Sequence, residues 1–516
     1  MKRKDLTDMS ALLEHNIAKL SKIIEMRDLA RSIMKDLPEP INLEIPDNNT
    51  IFNWVEEICE TPHRRPGTPE GHRAEDYLVK KLKELGLENV TKDPIDITVW
   101  EANNWKLIIE ENGQTKEFPC FYIPRTGFTG PEGITGELVY VGQGLPEDLE
   151  NIDLKGKIAV VDIIFAEFPT GLTMKLDPKY GGGGYYFSDP DDTMKRKVKH
   201  RLIFVRKNFP REVPGVHPGP NSAYRNVHER GALAMIGILR NHPGNTNTYY
   251  GPYDRVIKPM PALWVAKNDG RTFREIAQRN CKATIIVEGY QKPGVTHNVW
   301  GLLPGKSDEI ILVSSHHDAP FKGATEDGTG IAMVLAQIKA WSKLSKEQRP
   351  RTLLFVCDAG HFWEACGPEY LVKHHPELIK RALADVNLEH VAAKDVVDKR
   401  GEFVFSGNMA FSLVYTTNNE YLISTVIRAL EKNKPKWVSA VPFDVTGSVA
   451  AGDGGRYYQY GGLNVVNLIA MPYYLLTAED TLDKVDKDEL KTYASFAGDI
   501  IGTLMSIDKE NLKKMN

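Results

Sequence analysis

Three polar clusters in the second half of the sequence contain side chains that can bind a metal ion. His316–Asp318 follows an apolar run, Glu326 lies in a glycine-rich turn ten residues after His316, and Glu389–His390 ends another apolar run. Imidazoles and carboxylates that converge from separate strand ends are how proteins hold zinc or a similar first-row ion. Each residue alone has an ordinary structural explanation, such as a helix cap, but the three clusters together favour a metal site.

The elements that must position these clusters are alternating strands and helices from residue 298 onward. Strands are predicted over residues 310–315, 351–357 and 384–388, and helices over residues 330–344 and 367–374. This alternation predicts an α/β fold with a mixed, largely parallel sheet flanked by helices. Functional groups in such sheets collect at the carboxyl ends of the strands. Asp318 is well placed there to accept a hydrogen bond from a ligating imidazole and to fix its tautomer.

Earlier segments are predicted to be helical. Residues 5–36 repeat apolar positions at helical spacing, so this helix either packs on its own chain or forms a subunit contact. The second alternative predicts a homo-oligomer. Residues 51–85 predict two amphipathic helices around a loop at residues 63–71.

The pattern changes between residues 130 and 290. Strands are predicted near residues 136–142 and 155–162, and a long irregular stretch follows at residues 163–228. That stretch contains a basic run at residues 195–201. Such a run indicates a solvated surface or, if it overhangs a cleft, a preference for an anionic substrate.

Composition narrows the class of protein. The chain has 516 residues, 41% of them hydrophobic and 26% charged, with a net charge of −4, so two or three domains are expected and nucleic-acid binding is not. No stretch of about 18 apolar residues predicts a membrane span, and the N-terminus lacks the apolar core of a secretory signal. Five cysteines without a Cys-x-x-Cys pair are typical of reduced thiols, which predicts a cytoplasmic protein.

Several motifs resemble the co-catalytic zinc aminopeptidases, the family that includes bacterial leucyl aminopeptidase and glutamate carboxypeptidase II. His316–Asp318 is similar to the family's His-x-Asp motif, Gly323–Gly330 to its Gly-Ala-x-Asp-Asn-Gly-Ser-Gly turn, Asn387–Glu389 to its Asn-x-Asp strand end, and Thr477–Lys484 to its closing segment. The resemblance covers roughly residues 50–510. It implies a catalytic domain over residues 49–128 and 290–516, an inserted, mostly β, protease-associated domain over residues 129–289, and an N-terminal helical segment over residues 1–48.

Carried over residue by residue, the resemblance implies one complete ion site. His316, Glu326 and Glu389 fall on the ligands of one divalent ion, with two of the acids lengthened by one methylene group. Phe362 and Leu476 fall on ligands of the family's second ion and cannot bind metal. The resemblance therefore implies that the two-metal site has been reduced to one.

His361 falls on the position of the family's general base. An imidazole there could move a proton at neutral pH, could reach the ion as a further ligand, or could be an inert packed side chain. His317 and His390 are expected to support ligands more than to bind the ion. Asp453 falls on an acid that supports a ligand in the family.

The sequence therefore predicts a metal-dependent hydrolase of an amide or peptide C–N bond, with His361 and Asp318 as catalytic residues. One divalent ion is expected per chain, and zinc, manganese and iron are not distinguished. The expected substrate is a small molecule or a short peptide. Two alternatives stay open: a non-catalytic relative that keeps the fold for binding or assembly, and a conventional two-metal aminopeptidase in which Asp327, Asp358 or Glu364 substitutes as ligand.

Overall fold

The fold is known from a computed structural model. It describes residues 20–165, 167–169, 184–193, 204–206, 222–279, 281–445 and 449–512. The basic run at residues 195–201 and the first part of the predicted N-terminal helix, up to residue 19, lie outside these ranges. All five cysteines lie inside them and are unpaired.

One mixed sheet of 15 strands runs through the described residues. Its strands are β1 (Glu88–Glu111), β2 (Gln114–Phe118), β3 (Phe121–Tyr122), β4 (Ile134–Tyr140), β5 (Ile158–Ile163), β7 (Tyr186–Ser188), β9 (Ala234–Leu239), β10 (Ala262–Val265), β11 (Lys282–Leu303), β12 (Ser307–His316), β13 (Arg351–Asp358), β14 (Ala382–Glu389), β17 (Ser412–Thr416), β18 (Val438–Pro442) and β19 (Asn464–Ala470). Their order is β3-β10-β9-β5-β4-β11-β13-β12-β14-β19-β17-β18-β7, and β1 and β2 continue from β11. Two short antiparallel pairs lie outside this sheet: β6 (Glu167–Pro169) with β8 (Phe204–Arg206), and β15 (Lys394–Lys399) with β16 (Glu402–Met409).

The central parallel strands of the sheet place the three polar clusters together at their carboxyl ends. β12 pairs in parallel with β13 and with β14, and β14 pairs in parallel with β19. Every residue of β13 and β19 is buried, as expected for strands that are covered on both faces. The carboxyl ends of these strands therefore meet in the interior of the protein.

Helices cover both faces of this core. The α-helices are α1 (Asn48–Ile58), α2 (Pro69–Glu84), α3 (Ala223–Glu229), α4 (Gly270–Ala277), α5 (Thr329–Trp341), α6 (Cys366–His374), α7 (Pro376–Ile379), α8 (Glu420–Asn433), α9 (Gly454–Gly461) and α10 (Leu490–Leu504). Short 3₁₀ turns lie at Met34–Asp36, Pro146–Leu149, Lys346–Gln348, His361–Trp363, Leu482–Lys484, Lys487–Glu489 and Lys509–Leu512. α2 begins at Pro69, near the end of the predicted loop. The Thr68 side chain caps it by accepting a hydrogen bond from the Gly71 amide, and Pro69 occupies the first turn.

The parallel strands between residues 130 and 290 extend the same 15-stranded sheet. β4, β5, β9 and β10 pair in parallel, and β11 joins them to β13. The apolar cluster around these strands extends from Trp100 to Val287 and also contains Phe362 and Leu476. The assignment of residues 129–289 to an inserted protease-associated domain stays a prediction.

The described part of the N-terminal helical segment packs on its own chain. Residues 20–33 are helical, and Ile23, Met26 and Ala30 are buried in the main apolar cluster. Leu20 and Ile24 remain exposed, so the predicted homo-oligomer stays a prediction. Among the described residues, no helix combines the length and the apolar composition needed to cross a bilayer.

Candidate metal centre

The predicted ligands meet at the carboxyl edge of the parallel strands. His316 is the last residue of β12 and Glu389 the last residue of β14, and His390 follows directly. Glu326 lies in a buried turn, Ala324–Gly328, which leads into α5, and its own backbone angles are not helical. The side chains of all four residues are buried.

Ligand atoms of His316, Glu389 and His390 lie within 4.8 Å of one another, and so do ligand atoms of His316, Glu326 and His361. His316 Nε2 lies 3.4 Å from Glu326 Oε1, and His390 Nε2 lies 3.1 Å from Glu326 Oε2. His316 Nε2, His390 Nε2, Glu326 Oε1 and Glu389 Oε2 are all buried and make no hydrogen bond with acceptable geometry. Buried polar atoms are rarely left in this state. Two imidazoles and two carboxylates fit a first-row divalent ion, so we call these four residues the metal centre.

Each imidazole of the metal centre is held through its Nδ1 atom. His316 Nδ1 donates to the carbonyl oxygen of Asp318 at 3.1 Å, and His390 Nδ1 donates to the carbonyl oxygen of Ala470 at 3.0 Å. Because a carbonyl oxygen only accepts, Nδ1 carries a proton in both rings, and Nε2 is the nitrogen that can offer a lone pair to an ion. The rings are nearly perpendicular, at 87°, with centroids 5.9 Å apart. Both lone pairs can therefore point to one ion.

Asp318 supports the site through both its backbone and its side chain. Asp318 accepts a hydrogen bond from the His316 imidazole through its backbone carbonyl oxygen, and its carboxylate Oδ1 lies 3.7 Å from the same Nδ1 atom. Its carboxylate accepts hydrogen bonds from the backbone amides of His361 and Phe362, at 3.1 and 2.8 Å. Asp318 thus holds the backbone of the 3₁₀ turn that carries His361.

The two acids of the metal centre are positioned in different ways. Asp453 N donates to Glu389 Oε1 at 2.7 Å, which leaves Glu389 Oε2 free to face the ion. Glu326 is positioned through its own amide, which donates to the Asp480 carboxylate at 2.8 Å. The Glu389 carboxylate is therefore held by a backbone amide, and the Glu326 backbone is held by the Asp480 side chain.

His361 lies beside the metal centre and is paired with an acid. Its Nδ1 donates to Asp453 Oδ1 at 2.7 Å, so Nε2 is the nitrogen left for chemistry. Its ring stacks on the His316 ring, with centroids 4.0 Å apart and an angle of 14° between the planes. An imidazole binds a metal in its own plane. Two nearly parallel stacked rings therefore cannot both point to one ion without rotating.

Burial and neighbouring charge shift the pKa values of the metal-centre residues. Burial opposes the charge on His390, but Glu326 outweighs it and raises the pKa of His390 to about 9. Burial, reinforced by Asp453, raises the pKa of Glu389 to about 7. Burial also opposes the charge on Glu326, yet His390 and His316 hold the pKa of this acid well below its usual value. Protons and a divalent ion therefore compete for the same atoms.

The positions of the family's second ion are apolar in the structure. Phe362 is completely buried, with its ring 5.7 Å from the ring of Tyr250 and 5.1 Å from the ring of Tyr253. Leu476 belongs to the same apolar cluster. Neither of these two positions therefore offers a side chain that can bind a metal ion.

Of the three substitute ligands proposed for a two-metal site, Asp327 lies near the metal centre, and Asp358 pairs with His316 between β13 and β12. Asp327 Oδ2 is 3.9 Å from His316 Nε2, and its Oδ1 accepts from the His390 amide. Asp358 accepts a hydrogen bond from the Tyr457 hydroxyl, and Glu364 lies within ion-pair distance of Arg456. Asp358 and Glu364 thus have other partners.

His390 is a candidate metal ligand that the sequence alone does not identify as one. It was expected to support a ligand, whereas its Nε2 faces Glu326 inside the cluster. The sequence signal was present, since His390 directly follows the ligand Glu389. Its orientation depends on the Ala470 carbonyl, 80 residues away in sequence, and that contact cannot be read from a local motif.

Comparisons with known proteins agree with the fold. The profile of peptidase family M28 matches residues 298–501. BSAP, a zinc aminopeptidase from Bacillus subtilis, superposes with a TM-score of 0.63 at 16% identity over 89% of this chain and 95% of that one. A peptidase M28 precursor from Shewanella amazonensis superposes with a TM-score of 0.63 at 18% identity over 94% and 97% of the two chains. The predicted zinc-aminopeptidase fold is confirmed.

Curated relatives are more distant and longer. Human transferrin receptor protein 2 is 23% identical over 299 residues, which is 54% of this chain and 36% of that protein. A glutamate carboxypeptidase 2 homolog from Caenorhabditis elegans is 22% identical over 393 residues, which is 66% of this chain and 50% of that protein. The chain thus spans between about a third and a half of the length of these two relatives. Residues 298–501 are thus similar to peptidase family M28, and the structural neighbours share the fold of the chain.

Proposed function

We propose that this chain is a metal-dependent hydrolase of an amide or peptide C–N bond that works with one divalent ion. The observation that carries the proposal is the set of four buried, unpartnered donor atoms in the metal centre. A non-catalytic relative has no need to keep four such atoms together, because each costs stability when it is unpaired. Peptide hydrolysis is the nearest activity suggested by the family profile and by the names of the aminopeptidase and carboxypeptidase relatives.

His316, His390, Glu326 and Glu389 would hold the ion, and zinc is the ion named for the Bacillus subtilis enzyme. When bound, the ion would polarise the scissile carbonyl and make a water molecule more acidic. The rest of the chemistry falls to the chain itself. The buried surroundings of the four ligands exclude bulk water and so strengthen each charge interaction at the site.

We assign His361 the role of proton carrier. Asp453 accepts a hydrogen bond from His361 Nδ1, which fixes the tautomer and stabilises the charged ring. Nε2 can therefore take a proton from the attacking water and return it to the leaving nitrogen. The stacking on His316 supports this role over that of a further ligand. Asp318 contributes by holding the backbone of the turn from which His361 projects.

A single ion is favoured over two. Phe362 and Leu476 are part of an apolar cluster where a second ion would need donors. Loss of that ion also removes a group that could seat a free α-amine, so an amide without one is as suitable a substrate as a peptide N-terminus.

The test combines metal analysis with a substrate screen. Untagged protein is assayed for bound metal and for hydrolysis of small amides, peptides and aryl amides, as wild type and as Glu389→Ala, His361→Ala and His228→Ala. His228 is an exposed histidine in α3 and serves as the control. We expect Glu389→Ala to lose one metal equivalent and activity. His361→Ala should keep that equivalent and lose roughly 100- to 10,000-fold in kcat.

Other outcomes would decide between the alternatives. Loss of metal in His361→Ala would make His361 a ligand. Loss of two equivalents in Glu389→Ala, together with strong leucyl-arylamide turnover in the wild type, would establish a two-metal aminopeptidase. A wild-type protein that folds without taking up metal at the centre would support the binding or assembly protein.

A further inference from the structure

A second group of metal-binding side chains lies between α2 and β11 and shares no residue with the metal centre. It consists of His72 and Glu75, one turn apart on α2, and His297 on β11. One ligand atom from each residue lies within 4.8 Å of the other two. Nothing in the proposed hydrolytic mechanism uses these residues.

The Glu75 carboxylate is held in place by one of its oxygens. Oε1 accepts hydrogen bonds from Thr296 Oγ1 and from the His297 amide, both at 3.0 Å. The side chain is completely buried. The other oxygen, Oε2, is thereby pointed at a fixed place, as a carboxylate ligand is when backbone and hydroxyl groups orient it.

Three nitrogen atoms crowd around Oε2. His72 Nδ1 and His297 Nδ1 each lie 2.8 Å from it, and Lys92 Nζ lies 3.3 Å from it. A carboxylate oxygen has about two lone pairs, so it cannot satisfy three donors well. One divalent ion bound to Oε2 and to both imidazole nitrogens would resolve this competition, since the two rings would then offer lone pairs in place of protons.

The Glu75 carboxylate already has positively charged or chargeable groups around it. Burial opposes ionisation of Glu75, but His317, His72 and His297 outweigh it and lower the pKa of this acid. Lys92 has a second partner, because its Nζ also lies 2.6 Å from Asp76 Oδ1. Lys92 can therefore keep an ion pair when another cation takes its place beside Glu75.

We propose that His72, Glu75 and His297 form a second metal site, which binds zinc or a similar first-row divalent ion. Two imidazoles and one carboxylate are the donor set of such ions. The side chains of His72 and His297 are 38% and 20% exposed, so an ion can reach the site from solvent. A bound ion ties α2 to β11 and so adds its binding free energy to the stability of the fold.

The test is zinc binding by untagged, chelator-treated protein, measured by calorimetric titration and by metal analysis after dialysis. We compare the wild type with His72→Ala, Lys92→Met and Lys80→Met. Lys80 is an exposed lysine on the same helix and is the matched control for loss of one positive charge. Thermal unfolding with and without zinc is followed for each variant.

The wild type should bind one zinc ion beyond the one that Glu389→Ala removes. His72→Ala should weaken this extra ion by about tenfold or more and reduce the thermal shift caused by zinc. Lys92→Met, which keeps all three ligands, should bind it about threefold more tightly than Lys80→Met does.

The proposal is overturned if the wild type takes up no zinc beyond the ion lost in Glu389→Ala, or if Lys92→Met and Lys80→Met bind zinc alike. Failure of the proposed hydrolytic function is a separate result. A protein that binds nothing at the metal centre would still take up a zinc ion that depends on His72.

Discussion

His361 differs from the two imidazoles of the metal centre in the acceptor of its Nδ1 proton. His316 and His390 donate to backbone carbonyls, whereas His361 donates to the Asp453 carboxylate. A carbonyl fixes a tautomer, while a carboxylate also stabilises the ring when it is charged. In the proposed mechanism, this difference distinguishes His316 and His390, which bind the ion, from His361, which carries a proton.

Replacing Asp453 with asparagine should test this difference. The backbone amide of residue 453 still donates to Glu389, so the metal content should stay at the wild-type level. The neutral amide no longer stabilises a charged His361 ring, and we expect kcat to fall about 100-fold or more. Turnover and bound metal are measured on the same sample. Loss of metal together with activity would contradict the assignment.

Gly452 offers a steric test of Glu389. A Cβ atom at residue 452 would lie 2.4 Å from Glu389 Oε2, so Gly452→Ala should displace this carboxylate and weaken metal retention by about tenfold or more. Gly407 is the matched control because it has the same positive φ, 82°, and open space around its Cβ position. Dialysis against a chelator measures retention. Equal metal loss in both variants would assign the effect to backbone strain.

His63 should make the protein sensitive to acid. Burial, together with the neighbouring Arg65, lowers the pKa of His63 to about 3. In the unfolded chain the ring takes up a proton near pH 6.5, so its contribution to stability is complete above pH 6.5 and is lost as the pH falls towards 3. Urea unfolding at pH 7.5 and pH 4.5 should show a smaller loss for His63→Gln than for wild type. His228→Gln, on an exposed ring, should lose as much as wild type.

The types of the ligand residues could be predicted from the sequence, but their orientations could not. His316, Glu326 and Glu389 stand out because each ends or follows a predicted element. The orientation of His390 and the partner of Asp318 depend on backbone atoms brought near by tertiary structure. The site at Glu75 was not predicted, because His72 and His297 lie far apart in sequence and carry no recognisable motif.

At the scale of elements, one buried arginine makes several hydrogen bonds to the segment between β12 and α5. Arg64, which is 0% exposed, donates from Nε to the His317 carbonyl at 2.8 Å and from Nη2 to the Gly323 and Glu326 carbonyls at 3.1 and 3.2 Å. The loop before α2 thereby fixes the backbone at Glu326 and next to His316, two residues of the metal centre.

Arg64→Met should therefore affect stability and metal binding together. The substitution leaves several buried carbonyls without donors, which should cost about 3 kcal/mol or more in the free energy of unfolding. Urea denaturation of the metal-free protein measures this cost, and Arg73→Met, at an exposed arginine of α2, is the control. A cost below about 0.5 kcal/mol would show that the loop is held by its own backbone.

The strands and helices of the catalytic half were predictable because their apolar patterns are long and are bounded by polar residues. β12, β13 and β14 match the predicted strands to within three residues at each end. The length of β11 was not predicted, because polar and glycine residues interrupt its pattern between Glu288 and Gly294. Pairing with β1 over almost its whole length compensates for that weak local signal.

At the scale of the molecule, the lost ion site has become part of the core that joins the two halves of the chain. Phe362 packs against Tyr250 and Tyr253 from the region between residues 130 and 290. Restoring family-like residues with Phe362→Glu and Leu476→His should therefore not restore an ion. We expect the double variant to lose about 3 kcal/mol or more of stability, because it buries a charge in an apolar cluster.

The matched comparison for that variant is Phe362→Leu with Leu476→Met, which keeps the cluster apolar and should cost much less. Metal analysis and urea unfolding are measured together. A stable double variant that gains one metal equivalent would contradict this account and would reopen the two-metal alternative.

The pairing of β1 with β11 also determines when the protein can finish folding. Glu110 of β1 pairs with Lys282 and Glu88 pairs with Leu302, so the ladder joins residues that leave the ribosome far apart in time. Until residue 303 has been synthesised, one edge of β1 has no partner along most of its length, and an open strand edge invites aggregation. Contacts this distant in sequence are slow to form. Expression at a reduced translation rate or with chaperones should therefore change the yield of folded protein more than it changes its final stability.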